Sequence, residues 1–361
     1  MSSAKDLAAG GPLLAEARPR RVLASVGRLL TGTPEIGIIV AVLVAFVVFS
    51  SINSNFSSVA ELQDLGIDLA GFAILAVGES LTIITGGIDL SVGSLTAFFV
   101  VASAWLNVSA HLPIWLTFAI TLTGGALWGL WHGFLITRFN IAPFVATLVT
   151  FIFAAGADEA LAPSPIPITS QTFLDIVGKN VAGIPIAVLI LLVVGVAGWF
   201  FLERTYFGRQ IYAVGGNREA ARLAGIPVNR RIKTTYVVSG LCASIVGCIV
   251  ASHLTSGTAD SVSGWELIAI AAAVIGGVSL SGGTGRMVGV LAGAALLVVL
   301  RDGLVAINVN AYYQSMVVGV VLLVAILIDR LRVMRAERAS RPARTALSES
   351  SESSESGEGS A

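Results

Sequence analysis

Residues 90–137 run for 48 positions without one Asp, Glu, Lys or Arg. A hydrocarbon layer of about 30 Å needs roughly 20 apolar residues per helix, so this run accommodates two membrane crossings, turning near His111-Leu112-Pro113. Further uncharged runs cover residues 36–60, 139–157, 180–202, 234–259, 267–285 and 303–328. Charged residues make up only 12% of the chain and the mean hydropathy is +0.87. Soluble domains carry about 25% charge, so the composition points to a polytopic membrane protein. Two further spans are less clean. Residues 65–85 contain Asp68 and Glu79, and residues 287–300 lie between Arg286 and Arg301, which must snorkel to reach the interface.

These runs predict an all-α protein of ten spans, at about 36–56, 65–85, 90–109, 112–137, 140–157, 184–202, 234–253, 265–280, 287–300 and 311–328. Lys and Arg collect in loops on the cytoplasmic face when the parity is correct. With the N-terminus inside, all 22 Lys and Arg residues fall on that face except Lys179 and Arg301, so both termini are expected in the cytoplasm. The expected organisation is a basic cytoplasmic tail at 1–33, a transmembrane domain at 34–332 with a cytoplasmic loop at 203–233, and a disordered cytoplasmic tail at 333–361 whose 340–361 stretch is a Ser/Glu/Gly run. Such a tail lacks the apolar area to order itself, and its glutamates mask a basic membrane face behind a net charge of zero. No short hydrophobic core precedes a small-residue cleavage site, so the first span is expected to serve as the insertion signal.

Little in the chain suggests chemistry. Cys242 and Cys248 are six residues apart within one expected span, where they read as small core residues. His111, His132 and His253 are dispersed, which leaves no hydrolase set and no metal cluster. Nothing matches the Gly-x4-Gly-Lys-Ser/Thr loop that cradles phosphates, so any nucleotide energy must come from another chain. No catalytic residue, cofactor or nucleic-acid partner is expected.

The loop at 203–233 is more informative. Asn217 is a good N-cap, residues 218–224 make two helical turns, Gly225 suits the C′ position and Pro227 forbids continuation. This short amphipathic helix is either an interfacial helix whose arginines meet lipid phosphate or a docking helix for a cytoplasmic partner. A second feature is the glycine-rich stretch 86–93, echoed by 276–283 with paired glycines followed by Leu-Ser. The echo reflects either a common origin or independent glycine-rich helix ends. Asp89 either lines a pathway or caps the helix that follows, and Glu266, beside Trp265, reads as an anchor at the outer interface.

Four motifs together resemble one family. Glu219-Ala220-Ala221 followed by Gly225 resembles the loop by which permeases of ABC importers engage their ATPase, and residues 208–217 extend the match. Residues 85–94 are similar to a signature of the ribose/xylose/galactose-type permeases, residues 267–277 with 281–286 to their second signature, and Tyr312-Tyr313-Gln314 to their last span. The resemblance covers about residues 36–332. It implies a multi-pass subunit of the bacterial inner membrane that forms the pathway for a monosaccharide or related polyol. Its implied partners are a cytoplasmic sugar-type ATPase, an external solute-binding protein and a second permease, identical or paralogous.

On this reading Asn217, Arg218, Glu219, Ala220, Ala221, Arg222 and Gly225 couple to the ATPase, while Gly87, Asp89, Ser91, Gly93, Ser94, Gly277 and Ser281 belong to the pathway. The chain departs from the family pattern at residues 151–167, where relatives show an Arg-Gly pair and a Gly-Arg-Pro turn. Here Asp158-Glu159 and then Pro163, Pro165 and Pro167 stand instead, which leaves the substrate and the binding-protein contact open. The competing reading is a proton-coupled carrier with Glu79 and Asp89 titrating. A docking helix argues against it, since an ion-coupled carrier has no need of one.

Overall fold

The structure is a computed structural model that describes residues 34–310, 312–324, 326, 327, 330 and 334. The tails expected at 1–33 and 333–361 lie outside the described residues, apart from the single position Met334. The described residues form thirteen α-helices that we number in order: α1 Pro34–Ile52, α2 Val59–Ile84, α3 Ser91–Ala104, α4 Ile114–Arg138, α5 Pro143–Leu161, α6 Gln171–Gly178, α7 Ile186–Trp199, α8 Tyr206–Gly216, α9 Arg218–Leu223, α10 Val228–His253, α11 Trp265–Ile275, α12 Met287–Ala306 and α13 Tyr312–Val324. Single π-turns extend α3 through Trp105–Ser109 and α7 through Phe200–Arg204. Two-residue strands form two antiparallel pairs, β1 (Ile166–Pro167) with β4 (Ser256–Gly257) and β2 (Asn180–Val181) with β3 (Ile184–Pro185).

Among the described residues eight helices are long and apolar enough to cross a membrane, and α11 and α13 are shorter apolar helices. Together they occupy the ten expected positions, and the protein is a polytopic helical membrane protein. Several boundaries move. The span expected at 287–300 is the 20-residue α12, which runs on through Arg301 and Asp302. The Arg301 guanidinium is accommodated over the Phe72 ring of α2, 5.2 Å from the centroid, a cation–π contact that local sequence does not announce. The span expected at 265–280 ends instead at Ile275, because Gly277 takes a positive φ of 89° and stops the helix.

The core is built on α10, which packs against α2, α3 and α4. α2 starts with the serine half of a capping box: Ser58 Oγ accepts the Glu61 N–H at 3.3 Å, with the glutamate three residues on. From Ala70 to Ile84 every α2 residue is buried, polar and apolar alike, so this segment has no lipid-facing side. α1, by contrast, leaves Leu43, Val44, Val47 and Val48 exposed, as a helix bordering lipid should. The α4–α10 contact uses small residues. A Cβ on Gly125 or Gly129 would collide with the Gly240 or Tyr236 carbonyl of α10, so both glycines let the backbones meet. Such stripes of small residues replace the hydrophobic drive that lipid does not provide.

Candidate functional site

α9 is assembled by local capping. Asn217 Oδ1 accepts the N–H groups of Glu219 at 3.0 Å and Ala220 at 2.9 Å. At the other end Gly225 adopts φ +77°, and the Ile226 N–H reaches back to the Ala221 carbonyl at 3.0 Å. Ala221 is buried among Ile136, Ala146, Val214, Val228, Ile232 and Tyr236. Glu219, Ala220, Arg222 and Gly225 face outward, as does Leu223, which is 82% exposed. The Arg222–Glu219 ion pair at 3.2 Å is itself exposed and adds little stability. α9 therefore presents one polar face and one large apolar side chain at the surface.

α8, directly before it, is a second helix in this loop. Thr205 caps it, accepting the Gly208 N–H at 3.2 Å. Tyr212 donates its hydroxyl to the Gly285 carbonyl at 2.7 Å, and burial pushes the Tyr212 phenol up to about 12, with Glu203 adding and Arg286 opposing. Arg231 Nε donates to Gln210 Oε1 at 2.5 Å, and its guanidinium lies 4.3 Å from the Phe207 ring centroid. α8 and α9 thus sit on the bundle through specific polar contacts.

Arg218, the first residue of α9, ties this end to the core. Its Nη2 donates to the Thr85 carbonyl at 3.1 Å and the Gly86 carbonyl at 3.3 Å, at the C-terminus of α2. A cation there complements the negative end of the helix dipole. Beside it the Gly283 N–H donates to the Ile84 carbonyl at 2.9 Å. The ends of α2 and α8 and the turn before α12 therefore meet at one place.

From Gly86 the chain folds back into the bundle. The Asp89 N–H donates to Glu79 Oε1 at 3.1 Å, which sets Asp89 level with a residue more than one turn before the end of α2. Asp89 Oδ1 accepts the Ser91 N–H at 3.0 Å and the Ser91 hydroxyl at 2.5 Å, while Oδ2 accepts the Ser239 hydroxyl from α10 at 2.8 Å. Thr147 Oγ1 of α5 accepts the Leu90 N–H at 3.2 Å. Side chains thus satisfy the nonhelical backbone at this depth. Glu79, Asp89, Ser91 and Ser239 are all 1% exposed or less. Glu79 Oε2, the Tyr236 hydroxyl and His132 Nδ1 are buried there without a hydrogen-bond partner, while His132 Nε2 pairs with Thr150 Oγ1 at 2.8 Å.

The residues grouped in sequence as a pathway fall in three places. Gly87, Asp89 and Ser91 are packed inside the bundle. Gly93 and Ser94 line a cavity of about 60 Å³ together with Asp158, Glu159, Asp260, Ser263 and Glu266. Gly277 and Ser281 belong to the turn before α12, where the Ser281 hydroxyl pairs with that of Ser279 at 2.8 Å. Glu266 is not the exposed interfacial anchor expected from Trp265 beside it. It is 8% exposed and folds against α3, where Gly93 has no Cβ to exclude its carboxylate. Sequence reasoning missed Ser239, Thr147 and Tyr236 because they come from distant helices.

A family described as branched-chain amino acid transport system / permease component matches residues 63–326. The ribose import permease protein of Escherichia coli is 38% identical over 297 residues, covering 81% of this chain and 92% of the relative. A probable ABC transporter permease protein of Escherichia coli is 36% identical over 302 residues, covering 83% and 91%. The fructose import permease protein of Bifidobacterium longum is 33% identical over 308 residues, covering 82% and 90%. No solved structure matches the chain at a significant level. With ten apolar helices among the described residues and a match across most of its length, the chain belongs to this permease family: it is an inner-membrane transport subunit of an ABC importer and not an enzyme.

Proposed function

We propose that this permease carries a monosaccharide or related polyol into the cell. Relatives named for ribose and fructose import support that substrate class. As a permease of an ABC importer it works with an ATPase and a solute-binding protein. We assign the ATPase to the sugar type and the pathway to a dimer with an identical or paralogous permease. Both termini, the tails at 1–33 and 333–361 and the loop at 203–233 lie in the cytoplasm, in keeping with the clustering of Lys and Arg.

The observation that carries the mechanism is the position of Arg218. Asn217, Glu219, Ala220, Ala221, Arg222 and Gly225 form or present a rigid surface helix for the ATPase, and Arg218 holds that helix to the carbonyls ending α2. Movement imposed on α9 would then pull on α2 and on the Glu79–Asp89 contact inside the bundle. In proteoliposomes the chain with its ATPase and binding protein should concentrate sugar only with ATP, and the chain alone should not do so under a proton gradient. Uphill uptake driven by the gradient alone would sink this reading.

A further inference from the structure

The cavity beside α3, α5 and the start of α11 has an unusual lining. It contains Asp158, Glu159, Asp260 and Glu266, two serines, and no Lys, Arg or His. None of these carboxylates has a cation within reach: among the described residues the ion pairs within 4 Å are Arg222–Glu219 and Arg286–Glu35. Asp158 is partly satisfied by the N–H groups of Glu159 at 2.7 Å and Asp260 at 3.3 Å. Glu266 is different. The residue is only 8% exposed, and its Oε2 is buried without a hydrogen-bond partner.

We propose that this cavity is a binding subsite for the positively charged group of a polyhydroxylated solute, an amino sugar in chemical class, with Glu266 pairing to the ammonium. The proposal rests on the importer reading and narrows its substrate. A buried carboxylate oxygen without a hydrogen-bond partner favours a donor that enters with the ligand. A metal ion does not fit, since among the described residues no three His, Cys, Asp or Glu side chains are grouped to hold one. An ammonium makes fewer geometric demands, with three rotatable donors for carboxylates at irregular spacing. The volume of about 60 Å³ has room for an ammonium group and an accompanying water. The sugar ring would remain at the open mouth, where Ser94, Ser263, Glu159 and Asp260 offer groups to its hydroxyls. This acidic pair at 158–159 stands where the sequence departs from the family resemblance.

The test compares two probes on the full chain in lipid nanodiscs by calorimetry, glucosamine and glucose, at a pH well below the ordinary amine range. Glucosamine should bind about tenfold more tightly than glucose, the ratio expected of one charge-assisted hydrogen bond. Glu266→Gln should abolish that preference. Because Glu266 is buried and its replacement can disturb folding, Glu159→Gln and Asp260→Asn are measured as well, and each should weaken glucosamine by a larger factor than glucose, since both lose a ring-hydroxyl acceptor but only glucosamine loses the charge attraction. Equal binding of the two probes, no binding of glucosamine, or a preference that survives all three substitutions overturns the proposal. A neutral sugar concentrated in an ATP-dependent way would still uphold the importer reading, so the two failures are distinguishable.

Discussion

The turn after α2 and the turn after α11 begin alike and end differently. In the first, the Gly86 N–H bonds to the Ile83 carbonyl at 2.8 Å and the Gly87 N–H to Thr82 at 2.9 Å. In the second, Gly277 bonds to Val274 at 2.9 Å and Val278 to Ala273 at 3.0 Å. Gly86 and Gly277 carry the same role, with φ of +79° and +89°. This register is one residue away from the echo read in sequence, which paired Gly86 with Gly276. It places Asp89 opposite Leu280, each three residues past the left-handed glycine. Asp89 then draws the chain into the bundle and starts α3 at Ser91, whereas Leu280 leads to an exposed Ser281 and a new helix only at Met287. A glycine stops each helix, and the next polar side chain decides where the chain goes.

The largest way to break this comparison is Asp89→Leu, which makes the first turn resemble the second at that position. It removes the acceptors of the Ser91 N–H, the Ser91 hydroxyl and the Ser239 hydroxyl in the buried interior. Bonds to a charged group contribute about 1.5–3 kcal/mol each and are not additive, so a loss of about 3–5 kcal/mol is expected, enough to deplete folded protein. Asp89→Asn keeps the acceptor to the Ser91 N–H and should lower transport rate or assembly more than it changes which solute is carried. The yield of monodisperse protein from membranes, with uptake for the Asn variant, measures both. Wild-type yield from Asp89→Leu would show that the buried contacts do not direct this turn.

The next largest test sharpens the shared half. An added Cβ on Gly86 would come no closer than 3.6 Å to another group, and on Gly277 it would meet nothing within 4 Å. Gly86→Ala and Gly277→Ala should therefore lose only the cost of positive φ, about 1–2 kcal/mol each and equal within error, read as matching shifts in thermal unfolding. Gly225→Val shares that cost on α9, as its open surroundings add none, and with Glu219→Lys it should uncouple ATP hydrolysis from transport while the chain stays folded. Substrate-stimulated ATP hydrolysis at the wild-type rate in both variants would remove α9 from the coupling route.

What sequence could read followed from how near the partners are. Asn217, Gly225 and Pro227 lie within a dozen residues of one another, and they delimit α9 in sequence and structure alike. Asp89 and Ser91 are two apart, so their bond was open to inspection, but Ser239 reaches Asp89 across 150 residues and Glu79 belongs to another helix. The small-residue stripe Gly125, Gly129 and Gly133 was visible in a 25-residue apolar helix and identifies a packing face, though not its partner α10. α8 was not anticipated because its C-terminal Gly215-Gly216 reads as a loop, while its Thr205 cap is a signal that could have been used. The extension of α12 past Arg301 depended on the Phe72 ring, which only the fold supplies.

The smallest expected effect lies on the second turn, where Tyr212 of α8 donates to the Gly285 carbonyl. Tyr212→Phe removes that donor and leaves a half-buried carbonyl to find water, a loss of about 0.5–1.5 kcal/mol. The first turn has a different fastener, Arg218, which donates to two carbonyls from the surface. The two should respond differently to pH. The neutral phenol is the donor, and its ionisation is pushed up to about 12 from an unfolded value of about 10. A raised folded value means its contribution is complete below pH about 10 and fades only as pH climbs toward 12. The stability difference between wild type and Tyr212→Phe should accordingly stay constant across neutral pH and shrink only in strong alkali. A difference that instead falls between neutral and mildly alkaline pH would mean that the Tyr212 hydroxyl is not held by Gly285, and of these two fasteners only Arg218, on the first turn, would remain.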